Sequence, residues 1–147
     1  MRPQLGWHGA IIVVLPEQMK DEMKLPPRLR ATLELVPPGA VSVADIGSGH
    51  GALAATLAAR GLRVVATERT PGSFAALRDD VEQLAVAGNG SVETRLGDGF
   101  AALHPGEVEV AVIAGLSGRS VIRILDRAAW LPRWLVQAAG SWAATAV

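Results

Sequence analysis

An α/β fold, an open parallel sheet of about five strands preceded by a helix, is predicted for this chain by three observations. From residue 27 onward, short apolar segments alternate with helix-forming ones; the first apolar segment runs into a glycine-rich turn; and acids stand at the ends of successive strand candidates. With 147 residues, 50% of them apolar, the chain has enough material for one domain with its own core.

Taken in order, the first helix opens at Pro26-Pro27, where a fixed φ suits an initial turn, and carries Leu29, Leu33 and Val36 at near-helical spacing until Pro37-Pro38-Gly39 stops it. Residues 41–46 form a short apolar run ending in glycines, the first strand. Residues 52–60 are rich in Ala and Leu and close at Gly61, a helix with a glycine C-cap. Residues 63–67 read as the second strand. Residues 73–87 read as a helix closed by Gly88-Asn89-Gly90. Residues 92–96 form a third strand before Gly97-Asp98-Gly99. Residues 108–114 form a fourth strand after the Pro105-Gly106 turn, residues 120–129 a helix, and residues 134–138 a fifth strand. Residues 1–22 differ in character: a β-branched run at Ile11, Ile12, Val13 and Val14 is followed by Pro16 and Lys20-Asp21-Glu22, so this extension is either disordered or an added edge strand, and Met23 is an alternative start. The domain proper is expected to be 23–147.

Composition removes several function classes. Fourteen basic against 14 acidic residues leave no net field to attract nucleic acid or an anionic membrane, so a polyanion would have to meet a local patch. The absence of cysteine removes disulfides, thiolate metal sites and a cysteine nucleophile, and His8, His50 and His104 are too scattered for a metal cluster. The apolar run at residues 10–15 is far below the roughly 18 residues needed to span a bilayer. It also makes a poor secretory signal, so a cytoplasmic location is expected.

In open parallel sheets ligands lie beyond the carboxyl ends of the strands. At the first such end, Asp45-Ile46-Gly47-Ser48-Gly49-His50-Gly51 places an acid before alternate glycines and a helix start, a pattern that lets backbone and helix N–H groups approach a ligand closely. Glu68 ends the second strand 21 residues after Gly47, near the ~20 expected of the acid that grips ribose hydroxyls. Asp98, in Gly97-Asp98-Gly99, ends the third and can accept from an adenine amino group. Gly47-x-Gly49-x-x-Ala52 also satisfies the dinucleotide fingerprint, but Asp45 would repel a pyrophosphate, whereas S-adenosyl-L-methionine, with its ammonium and sulfonium, suits an acid there. Gly115-Leu116-Ser117-Gly118 has its second glycine one place early for a hydrolase elbow, and Gly51-Ala52-Leu53 lacks the lysine of a Walker loop. The fourth strand end, Ala114-Gly115-Leu116-Ser117-Gly118, is either a loop that admits a substrate or an ordinary turn with Ser117 or Ser120 as N-cap.

Arg28 within residues 25–29, Asp45-Ile46-Gly47-Ser48 with His50, Gly97-Asp98-Gly99, and Ile113-Ala114-Gly115 with Gly118 ahead of Ile122-Arg123-Ile124-Leu125 together resemble the bacterial tRNA (adenine(22)-N(1))-methyltransferase family over residues 25–137. The resemblance implies a Rossmann-like fold of the class I methyltransferase type, S-adenosyl-L-methionine as cofactor, and methyl transfer to adenine N1 of tRNA. It makes Asp45, Gly47, Ser48, Gly49, Glu68, Asp98, Gly99 and Ala114 candidate cofactor residues, and Arg28, Gly115 and Gly118 candidate substrate residues. No catalytic base and no metal are assigned. Gly49, Gly51, Ala52 and Ala54 stand where the family pattern D-I-G-S-D-H-A-Y-L-P has an acid, alanine, tyrosine and proline, so the roles of those side chains are not carried over. Methylation of a small molecule or protein, or a truncated non-catalytic relative, are the alternatives. The family type also has further strands and a helical C-terminal domain, so the sheet is expected to be shortened. Its open edge, with Trp130, Trp134 and Trp142 in the last 18 residues, suggests a homo-oligomer, although Trp side chains serve equally in a core.

Overall fold

The computed structural model describes residues 24–84 and 90–138. Helix α1 (Pro27–Leu35) begins with proline in its first turn and ends at Val36, whose extended backbone precedes Pro37. Leu33 is its buried anchor. Strand β1 (Ser42–Ile46) is buried along its whole length, as befits the centre of a parallel sheet covered on both faces. There follow α2 (Ala52–Ala59), β2 (Arg63–Glu68), α3 (Pro71–Gln83), β3 (Ser91–Leu96), a short 3₁₀ turn (Gly99–Ala102), β4 (Val110–Ala114), α4 (Gly118–Asp126) and β5 (Trp134–Ala138).

All five strands are parallel, in the order β3-β2-β1-β4-β5. The chain therefore winds outward from β1 to β3, then returns to place β4 on the other side of β1. This reversal opens a crevice between the β1 and β4 ends, the usual ligand position in such sheets. Register keeps the carboxyl ends level: Ile46 pairs with Thr67 and Ile113, and Glu68 with Leu96. Alternation of side chains divides the core in two. Leu33, Leu57 and Leu77 from α1, α2 and α3 meet Val43, Val64 and Val110 on one face. On the other, Val121 and Ile124 of α4, with Phe100 and Leu103, cover Ala44, Ile46, Val65 and Ile113.

The expected alternation of strands and helices is thus present, with several shifted boundaries. Strand β4 begins at Val110 rather than residue 108; Val108 is buried but only approaches the sheet. Helix α3 starts at Pro71, earlier than residue 73, because the Thr70 side chain accepts from the Ser73 N–H and Pro71 supplies the first turn. The helix is described to Gln83, and its expected end at residue 87, with residues 88 and 89 of the expected cap, lies outside the described residues. Helix α4 starts at Gly118 and ends at Asp126, with Ser117 as the N-cap through the Ser120 N–H at 3.2 Å. The turn at Gly99–Ala102 was hidden because Gly-Phe-Ala-Ala is too short to show a period. Trp130 meets Phe100 edge-on at 5.6 Å, a core contact, whereas Trp134 on β5 is 48% exposed. Residues 1–22, Met23, Trp7 and Trp142 lie outside the described residues.

Candidate active site

The turn after β1 is built from glycines in left-handed conformations: Gly47, Gly49 and Gly51 have φ of 70°, 63° and 76°. At Gly51 a Cβ would stand 2.6 Å from Val81 Cγ2 of α3, so a larger residue there requires α3 to shift. The Gly47 and Ser48 N–H groups both donate to the Thr67 carbonyl at 3.1 Å, tying the turn to β2. Across the same gap the Gly49 N–H donates to Glu68 Oε1 at 2.7 Å. The glycine turn and the acid 21 residues later, matched by spacing alone, are therefore in contact. His50, whose side chain is 91% exposed, reaches Asp80 of α3 at 2.7 Å and ties the turn to that helix as well.

Beneath and beside this turn lies a cleft of about 240 Å³. Gly47, Thr67, Glu68, Gly97, Asp98 and Leu116 form part of its wall, and Arg69, Thr70, Ser73, Ser120, Arg123 and Ile124 complete it. Thr67 is 1% exposed, and its hydroxyl has no hydrogen-bond partner among the described residues. Such an orphaned group is costly unless something in the cleft satisfies it.

Glu68, Asp98 and Gly47 are brought together as the sequence led us to expect. Asp45 is not. It is 3% exposed and does not line the cleft; instead the Ser48 hydroxyl donates to its Oδ2 at 2.7 Å. Burial pushes its carboxyl up to about 6, partly opposed by the Ser48 hydrogen bond and reinforced by the nearby Glu68 charge. Asp45 and Ser48 are thus joined to each other across the start of the turn. Gly99 is likewise not a lining residue: it is buried where a Cβ would stand 3.0 Å from Ile124. Asp98 carries a partner that the sequence did not reveal, since Arg123 Nη1 donates to its Oδ2 at 2.6 Å.

Ala114 ends β4, half buried, and Gly115 follows with φ of 83°. A Cβ on Gly115 would stand 3.1 Å from Arg28 Nη2, so two candidate substrate residues, 87 positions apart in sequence, meet at one corner. Gly118 is the exposed first residue of α4. Sequence reasoning missed Thr67, Arg69, Ser73, Ser120 and Arg123. Thr67 had a signal, a polar residue inside an otherwise apolar strand beside the acid; Arg123 stood in the Ile122-Arg123-Ile124-Leu125 motif, but its pairing with Asp98, 25 residues away, left no local mark.

The chain matches the methyltransferase domain family over residues 25–138. It is 36% identical over 108 residues to the tRNA (adenine(22)-N(1))-methyltransferase of Bacillus subtilis strain 168, a match covering 72% of this chain and 44% of that protein. The crystal structure of the B. subtilis tRNA methyltransferase superposes with a TM-score of 0.59 at 33% identity, covering 70% of this chain and 44% of that one. A protein of the NADB-Rossmann superfamily from Streptococcus agalactiae gives a TM-score of 0.61 at 26% identity, over 70% and 46% of the respective chains. The chain thus spans less than half the length of these relatives. A five-stranded parallel sheet in Rossmann-like order, a glycine turn bonded to the next strand's terminal acid, and a family match covering residues 25–138 lead to one conclusion: the chain belongs to the methyltransferase domain family.

Proposed function

We propose that residues 23–147 form an S-adenosyl-L-methionine-binding methyltransferase domain that modifies N1 of an adenine in tRNA, in the cytoplasm. The observation that carries the reading is the Gly49–Glu68 hydrogen bond beside a cleft that Glu68, Asp98 and Thr67 line together. The substrate assignment is supported by the B. subtilis relative. The location is supported by the absence, among the described residues, of any helix long and apolar enough to cross a membrane.

The lining fits the cofactor. Glu68 accepts from the loop through Oε1 and retains acceptor capacity for ribose hydroxyls. Asp98, in the same lining, has a carboxylate able to accept from an amino group on the base. Bound S-adenosyl-L-methionine supplies an electrophilic methyl group on a sulfonium. The chain's part is then to orient and to exclude water. At the β4 end Gly118 is open around its backbone and Gly115 admits the Arg28 guanidinium, a group able to hold a phosphate of the substrate whose base approaches Ala114. An adenine ring nitrogen already carries a lone pair, so alignment with the reacting carbon supplies the acceleration and no base is needed. The base leaves its stack to arrive there, at a cost of a few kcal/mol. Lys24, Arg28 and Arg30 at the start of α1 add a local basic surface to a chain with no net charge.

Calorimetry with S-adenosyl-L-homocysteine on the wild type and Glu68→Ala tests the site. Micromolar binding that weakens about tenfold in the variant is expected, a difference of ~1.4 kcal/mol. Absence of binding at millimolar ligand would overturn the reading. Methyl transfer to a tRNA transcript, lost when the target adenine is replaced, tests the substrate; product formed without tRNA would favour a small-molecule or protein acceptor.

A further inference from the structure

Asp98 and Arg123 form the shared wall between two cavities. On one side is the 240 Å³ cleft; on the other is a recess of about 50 Å³ completed by Phe100, Ala101, Ile124 and Arg127. Asp98 follows β3, and Arg123 lies in the second turn of α4, so their bond joins two elements across the cleft. Arg123 Nη1 donates to Asp98 Oδ2 at 2.6 Å, and Arg127 Nη1 stands 3.8 Å from the same oxygen. Both guanidiniums converge on Oδ2. No described protein group donates to Oδ1. Arg123 is itself held in place: its neighbours Val121 and Ile124 are buried, and its side chain is only 27% exposed.

We infer that Arg123 is a positioning residue that sets which nucleobase the cleft accepts. By clamping Oδ2 it fixes the rotation of the Asp98 carboxylate and presents Oδ1 to the cleft. A carboxylate oxygen accepts and does not donate, so a purine with a 6-amino group is held and one with a 6-oxo group is refused. Refusal is strong because two acceptors facing each other leave both unsatisfied. Without Arg123 the carboxylate rotates and recruits water, and the distinction fades. The inference rests on the S-adenosyl-L-methionine reading and adds to it a residue of the cleft wall that acts through Asp98.

The test is calorimetry with S-adenosyl-L-homocysteine and its 6-oxo counterpart, S-inosyl-L-homocysteine, on the wild type, Arg123→Met and Arg123→Lys, with melting curves alongside. The wild type is expected to favour the adenosyl ligand by at least about tenfold. Arg123→Met is expected to bring that ratio below about threefold, and Arg123→Lys, which keeps a charged donor without the planar fork, to recover part of it. The readout is a ratio of two ligands on one protein, so a general loss of stability does not mimic the effect. Should Arg123→Met melt below the assay temperature, the Lys variant decides alone, by an intermediate ratio. Wild-type discrimination that persists unchanged in the folded variants overturns the inference. Failure of the wild type to bind either ligand overturns the cofactor reading beneath it, an outcome separate from the first.

Discussion

Asp45 shows how one side chain's position changes its role. It sits at the end of β1, where a carboxylate could face a cation, yet the turn that follows folds over it and leaves Ser48 as its hydrogen-bond partner. Removal from water raises its folded pKa from 3.8 to about 6. The sign of the consequence follows from proton binding: between pH 3.8 and 6 the folded chain holds a proton that the unfolded chain releases, so stability from this group falls as pH rises through that window. Above it, the fold carries a buried charge at a cost of ~3 kcal/mol. Asp45→Asn keeps an acceptor for the Ser48 hydroxyl without that charge. The variant is expected to be more stable than the wild type at pH 7.5 by about 1–3 kcal/mol in urea unfolding, with the gain vanishing below pH 4. A variant less stable at pH 7.5 would mean that the Asp45 charge is compensated by a group not seen in this geometry.

At the scale of elements, the glycine turn is held by the helices beside it as much as by its own backbone. Gly51 caps the start of α2 at φ 76° and packs against Val81 and Leu77 of α3. Gly51→Ala therefore combines a left-handed alanine, ~1–2 kcal/mol, with a contact that α3 must yield to relieve. An expected loss of about 2–4 kcal/mol, read as a lower urea midpoint at unchanged slope, checks it. Gly61→Ala, where a Cβ would meet nothing within 4 Å, isolates the backbone part. These elements were largely legible in the sequence, because strand runs such as Val-Ala-Val-Ile-Ala and breakers such as Pro37-Pro38-Gly39 act locally. That the glycine turn meets Glu68 was legible through the 21-residue spacing from Gly47, since a strand-helix-strand unit fixes that distance, although the residue that makes the bond is Gly49, 19 positions before the acid. What stayed hidden depends on packing between distant segments: the burial of Asp45, the Arg123 clamp on Asp98, and the meeting of Arg28 with Gly115. The apolar spacing of Val121 and Ile124 encodes which face of α4 is buried, but not that Arg123 on the same helix meets Asp98.

Among the described residues the sheet ends at β3 on one side and β5 on the other, and the two edges are treated differently. At the β3 edge, Arg95 donates to Glu93, to the Ala102 carbonyl and to Glu107 at 2.8 Å, binding the strand to the loop that leads to β4. The Arg95 guanidinium holds the Glu107 carboxyl down at about 2, so this group stabilises the fold above pH 4.5 and loses its effect as pH falls toward 2. Glu107→Gln is expected to cost about 2–3 kcal/mol at pH 7 and almost nothing at pH 2. Charge thus blunts the β3 edge against strand addition. The β5 edge has no such device among the described residues: β5 pairs with β4 alone, and Trp134 and Leu135 are 48% and 40% exposed, beside Leu131 at 58%. An open strand edge with apolar side chains favours pairing with another strand, and we expect self-association there. Sedimentation velocity across a hundredfold range of concentration should show a rise from monomer to dimer in the wild type. Trp134→Glu, which places a charge at the start of that strand, should keep the chain monomeric while melting within a few degrees of the wild type. A dimer that persists in Trp134→Glu would locate the contact elsewhere, and a wild type that stays monomeric throughout would show that the edge is not used between copies of this chain.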